Sequence, residues 1–112
     1  MKWEKTEAAF ICHLEGNLEN LTVPEFRDAL TALPPGASVI FDLAGVSFID
    51  SAGLGALIGA VRRAREAGGD AVVCRPRASV GRVLTLVGLP RIVHLARDLD
   101  EAVRHFSSPQ VA

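Results

Sequence analysis

Apolar positions along this chain fall in two rhythms, and the two alternate. Phe10, Cys12 and Leu14 interleave with Ile11 and His13, a period of two. Residues 2–15 are therefore predicted to form two short strands, joined by a turn near Glu7-Ala8 and ended by Gly16-Asn17. Thr22-Val23-Pro24-Glu25 reads as a helix start, with Thr22 as cap, Glu25 completing a capping box and Pro24 in the first turn. Phe26, Leu30 and Leu33 give that helix its apolar stripe, and Pro34-Pro35-Gly36 stops it. The apolar run 38–43 predicts a buried strand, and 44–50 a loop. Residues 51–67 form the clearest helix. Leu54, Leu57, Ile58 and Val61 recur at i, i+3, i+4 and i+7, so they and Ala64 are expected to face the sheet. Gly68-Gly69 closes the helix. A strand over 71–74, a helix over 77–87 stopped by Gly88, and a strand over 92–95 follow. Asp98-Leu99-Asp100-Glu101 is a second capping box, opening a helix that runs through Phe106.

The order is ββαβαβαβα, an α/β domain with a mixed, mostly parallel sheet of four to five strands and four helices. Strands alternating with helices pair in parallel, and the opening hairpin supplies the antiparallel part. A chain of 112 residues holds one domain, placed over 1–106, with 107–112 expected to fray. At 49% hydrophobic residues it can build a core without metal or disulfides. Lys plus Arg is 12 and Asp plus Glu is 13, a balance that argues against nucleic acid as the main partner. No apolar run reaches the roughly 20 residues of a membrane span, and the charged N-terminus lacks a signal-peptide core, so a cytoplasmic protein without direct membrane insertion is expected. Cys12 and Cys74 read as separate buried thiols, and His13, His94 and His105 are too scattered to suggest a metal site.

The stretch Asp50-Ser51-Ala52-Gly53-Leu54-Gly55 stands after a buried strand and opens the clearest helix. Sites in open α/β sheets gather there, beyond the carboxyl ends of the strands. Ser51 is read as the helix cap, where a phosphate would meet free N–H groups and the positive end of the helix dipole. On a helical wheel Ala52, Gly55, Ala56, Gly59 and Arg63 gather on a second side almost bare of side chains, a candidate docking face. Gly53, Gly55 and Gly59 miss the dinucleotide spacing by one residue, no lysine follows them to make a phosphate loop, and Ile49 stands where a hydrolase elbow needs glycine. No cofactor and no catalytic residue is implied.

Asp50-Ser51-Ala52-Gly53-Leu54-Gly55 resembles the signature of the bacterial anti-sigma factor antagonists, prototype of the STAS domain. Residues 14–19, 65–74 and 83–92 resemble further family segments. The resemblance implies a single STAS domain and a non-enzymatic regulator of transcription. In that family the serine after the Asp is phosphorylated by an anti-sigma factor that is a serine protein kinase. The unmodified antagonist binds the kinase and frees the sigma factor, and a phosphatase reverses the modification. By position Ser51 is then the phosphoacceptor, and Asp50, Ser51, Ala52, Gly53, Gly55 and Gly59 form the partner face with Asn17 and Glu19. The family's Gly-Glu-Leu-Asp is Gly16-Asn17-Leu18-Glu19 here, and Ala52 replaces a frequent second hydroxyl. The same motif occurs in the cytoplasmic STAS subunits of lipid-trafficking transporters and in scaffold proteins of stress-signalling assemblies. Gly55 and Gly68-Gly69 favour the antagonist.

Overall fold

The computed structural model describes residues 1–107; the tail expected to fray lies, from 108 onward, outside the described residues. The elements are β1 (Lys2–Lys5), β2 (Phe10–Leu18), α1 (Val23–Thr31), β3 (Val39–Ile49), α2 (Ser51–Glu66), β4 (Ala71–Cys74), α3 (Ala78–Leu86), a 3-10 turn (Leu89–Arg91), β5 (His94–Ala96) and α4 (Leu99–Ser107). This is the predicted order with five strands. The strands lie side by side in chain order. β1 runs antiparallel to β2, and β2 through β5 are parallel.

Alternation along β3 divides the core. Val39, Phe41 and Leu43 face α1, α2 and α3, where Phe26 meets Phe41 edge-on with ring centroids 5.8 Å apart. Ile40 faces the opposite side with Ile11, Val72 and Cys74, beneath Ala102 and Val103 of α4. Three helices thus cover one face and a single helix part of the other, so β3 is fully buried from Val39 to Leu43.

Four expectations are corrected. Residues 44–49, expected as loop, continue β3, because β2 also runs past Gly16-Asn17 to Leu18 and the two strands stay paired through two register shifts. The first capping box does not form: Thr22 precedes α1 without capping it, and its hydroxyl donates to the Asn17 carbonyl at 2.8 Å instead. The cap of α2 is Asp50, not Ser51. Finally, α2 is rotated from the expected face. Gly53, Ala56, Leu57, Ala60 and Val61 are buried, whereas Leu54, Ile58 and Ala64 are only half-buried. Small residues let the helix axis approach the sheet, and the larger side chains splay to the flanks. Smaller shifts move α3 to 78–86 and β5 to 94–96.

At the far end of α2, Gly68 takes φ +95°, the left-handed closure expected of Gly68-Gly69. At α4, Asp98 Oδ1 accepts from the Glu101 N–H at 2.8 Å, one half of the expected box. Glu101 turns its own carboxylate to Arg97, whose Nε donates to it at 3.0 Å.

Candidate functional site

The carboxyl ends of β2 and β3 carry two connections that one carboxylate ties together. Asp50 leaves β3 in an extended conformation, and its Oδ1 accepts from the Gly53 N–H at 2.8 Å. Its Oδ2 accepts from the Asn20 N–H at 3.1 Å, in the connection between β2 and α1. Its own N–H donates to the Leu18 carbonyl at 3.2 Å. Thr22 closes the other side of this corner, accepting from the Glu19 N–H at 3.0 Å while bonding Asn17. The Gly53 N–H, joined by that of Asn20, holds the Asp50 carboxyl below its ordinary range despite slight desolvation, so it is ionised at neutral pH.

Because Asp50 takes the cap, Ser51 becomes the first helical residue and is exposed. Among the described residues no group hydrogen-bonds its hydroxyl. The structure therefore brings Asn17, Glu19, Asp50, Ser51 and Ala52 to one corner, as Leu18 pairs with Ile49 and Asn17 with Phe48. Asn17 is exposed, and Glu19 and Ala52 are half-buried. Two apolar side chains on the same rim carry no periodic signal in the sequence: Leu21 is 84% exposed and Phe48 is 50% exposed.

The glycines of α2 differ in role. A Cβ at Gly53 would lie 1.9 Å from the Leu18 carbonyl oxygen, so this glycine is buried and lets α2 sit against β2. Its expected share in a partner face is limited to shaping the corner. Cβ atoms at Gly55 and Gly59 would meet nothing within 4 Å. These two line an open groove between α1 and α2 with Arg27, Arg62 and Arg63.

A second polar assembly lies on the sheet face that α4 leaves open. Asp42 is 3% exposed, yet it sits at the centre of a chain of charged groups. Arg75 grips it with both arms, Nε to Oδ1 at 3.0 Å and Nη2 to Oδ2 at 2.6 Å. His13 Nδ1 lies 2.5 Å from Asp42 Oδ2, and His13 Nε2 lies 2.5 Å from Glu4 Oε1. The Ala44 N–H donates to Asp42 Oδ1 at 3.1 Å. Arg75 takes φ +54°, a left-handed turn that brings its guanidinium back over β3. Burial works to raise the Asp42 carboxyl, but Arg75, His13 and the Ala44 N–H outweigh it and hold the group below its usual range. Burial likewise opposes charge on His13, and Asp42 and Glu4 overcome it, raising its pKa. Both imidazole nitrogens are occupied by carboxylates, so the ring is not free to act as a base. The neighbouring Cys74 thiol and the Cys12 thiol are pushed up to about 12, chiefly by burial. The assembly fastens β1, β2, β3 and β4 together, and no nucleophile is poised on it.

Among the described residues no helix is long and apolar enough to cross a membrane. A family model described as the STAS domain matches residues 1–102. The chain is 27% identical over 82 residues to the anti-sigma-B factor antagonist of Staphylococcus aureus, a match covering 71% of this chain and 76% of that protein. It is similar to the solved structure of the anti-sigma factor antagonist SpoIIAA in its unphosphorylated form, at 25% identity, with 98% of each chain covered and a TM-score of 0.77. The phosphorylated form of the Bacillus cell fate determinant SpoIIAA matches at 26% identity, covering 93% of this chain and 96% of that one, with a TM-score of 0.70.

Proposed function

The chain belongs to the STAS domain family, and from that membership we propose that it is a cytoplasmic anti-sigma factor antagonist switched at Ser51. Unmodified, it binds an anti-sigma factor of the serine protein kinase type and releases the sigma factor. Phosphorylation of Ser51 by that kinase ends the binding, and a phosphatase restores it. The observation that carries this reading is the division of labour at the start of α2. Asp50 caps the helix, so the Ser51 hydroxyl has no structural task and stands open to solvent. A kinase can reach it without dismantling the helix end.

The geometry also gives the modification a physical consequence. A phosphate adds about −1.5 to −2 charges at neutral pH. On Ser51 it would stand beside an ionised Asp50 that already accepts the Gly53 and Asn20 N–H groups. Those donors are not available to neutralise the new charge, so it projects into whatever surface docks over Asn17, Glu19, Leu21 and Phe48. Desolvating it against an apolar or acidic partner is unfavourable. The fold should survive, because a helix N-terminus tolerates anions. A role without catalysis is supported by His13, whose two ring nitrogens are both engaged.

The direct check is incubation with a partner anti-sigma kinase and ATP, followed by mass-spectrometric mapping. Phosphate is expected on Ser51 alone. Phosphate on Ser47 or Ser79 with Ser51 unmodified would sink the reading.

A further inference from the structure

The groove between α1 and α2 runs along α2 from Gly55, about 6 Å along the helix from Ser51, to Ala67 at its far end. One depression of about 350 Å³ is floored by Gly55 and Gly59, and a second of about 190 Å³ is walled by Leu30, Leu33 and Pro34. Arg27 and Arg63 line both, so the two depressions adjoin. The charges around them are three guanidiniums, Arg27, Arg62 and Arg63, against one carboxylate, Glu66. That excess is local, since the whole chain carries a net charge of −1. Three arginines elsewhere are matched, Arg65 with Asp70, Arg75 with Asp42 and Arg97 with Glu101, whereas the groove gathers three that are not. Among the described residues no carboxylate lies within ion-pair distance of Arg27, Arg62 or Arg63.

We propose that this groove docks an acidic amphipathic helix of a partner protein. The apolar wall and the bare floor take its apolar stripe, and the three guanidiniums take its flanking carboxylates. Guanidinium suits the task because its fork meets a carboxylate through two parallel hydrogen bonds. From Gly55 to Ala67 the groove follows α2 for about 18 Å at 1.5 Å per residue, the length of some three helical turns. A helix laid in such a groove is read through anchors at i, i+3, i+4 and i+7. The absence of side chains at Gly55 and Gly59 lets its backbone come close. This goes beyond the Ser51 reading and does not depend on phosphorylation there. Arg63 lies about 18 Å from Ser51 along the helix, farther than a Debye length of about 8 Å at physiological salt.

The test is an NMR titration of isotope-labelled protein with a helical peptide of about 14 residues, leucines on one face and glutamates flanking them. The control peptide has lysine at every glutamate. The acidic peptide is expected to bind at least about tenfold more tightly, with shifts centred on Arg27, Ala60, Arg63 and Ala64. Its affinity should fall as salt rises from about 50 to about 300 mM. Arg62→Glu combined with Arg63→Glu, both on exposed positions, should keep the fold by circular dichroism and reverse the preference towards the lysine peptide. Ser51→Glu should bind the acidic peptide as the parent does, which separates this inference from the switch. Equal affinity for the two peptides would overturn the proposal. So would shifts centred on Leu21 and Phe48, or a groove engaged by phosphatidylglycerol vesicles and not by the acidic peptide.

Discussion

Replacing Gly53 by alanine should damage this protein, although the same exchange two or six residues further along α2 should strengthen it. The new Cβ at 53 would lie 1.9 Å from the Leu18 carbonyl oxygen and 2.6 Å from its carbon. An ordinary contact of this kind needs more than 3 Å, so the first turn of α2 must retreat from β2 by about 1 Å. Forced repacking of this sort costs about 1–3 kcal/mol. The retreat also stretches the bond from the Asp50 N–H to the Leu18 carbonyl, now 3.2 Å, worth about 1 kcal/mol. Alanine's helix propensity returns up to about 1 kcal/mol. The net expectation is a loss of about 1–3 kcal/mol, or roughly 4–12 °C in melting temperature for a domain of this size. At Gly55 and Gly59 nothing stands within 4 Å of the added methyl. There the propensity gain acts unopposed, up to about 1 kcal/mol each, raising the melting temperature by about 4 °C. Thermal and urea unfolding followed by circular dichroism reads all three variants. A Gly53→Ala protein that melts at or above the parent would refute the close approach of α2 to β2 on which the Ser51 corner depends.

Other expectations follow from the same contacts. Gly59→Gln should fold with an unchanged or higher melting temperature, yet lose its anti-sigma partner in a calorimetric titration, since its side chain enters the open groove. Asp42→Asn removes a buried charge gripped by Arg75 and His13, and urea unfolding should show a loss of about 2 kcal/mol, less than for a fully buried pair because Arg75 can turn to water. The raised pKa of His13 means its ion pairs stabilise fully below about pH 6 and are lost as pH rises through the folded value. The lowered pKa of Asp42 means its contribution is present above about pH 4 and lost as pH falls through the folded value. Melting temperature against pH should therefore decline on the alkaline side, and His13→Gln should flatten that decline. Cys12 and Cys74 should resist a thiol reagent at about pH 8 in the native protein and react on unfolding, because burial pushes both thiols up to about 12.

Much of the architecture was legible because it rests on local periodicity. The run 38–43 and the stripe through Leu57 and Val61 report burial directly, and Gly68 and Gly88 mark helix ends that need positive φ. What escaped depends on partners distant in sequence. Residues 44–49 look like a loop until β2 is seen to run alongside them to Leu18. Thr22 has the form of a cap, but the backbone of Asn17 and Glu19 claims its hydroxyl first. Asp50 and Ser51 are both good caps, and the choice falls to Asp50 because its second oxygen also reaches Asn20, thirty positions away. Counting apolar side chains put Leu54 and Ile58 at the sheet, whereas close packing favours Ala56 and Ala60. The linkage of Glu4, His13, Asp42 and Arg75 joins groups 29 and 33 residues apart, and no spacing rule finds it.

In the proposed function, one phosphate on Ser51 decides whether a partner binds. Calorimetric titration of an anti-sigma kinase with the unmodified protein, with the stoichiometrically Ser51-phosphorylated protein and with Ser51→Ala tests it most directly. Circular dichroism should show the same fold in all three. The unmodified and alanine forms are expected to bind alike, and the phosphorylated form at least about a hundredfold more weakly, a difference of about 2.7 kcal/mol. Phosphorylated protein that binds as tightly as the unmodified form would contradict the account.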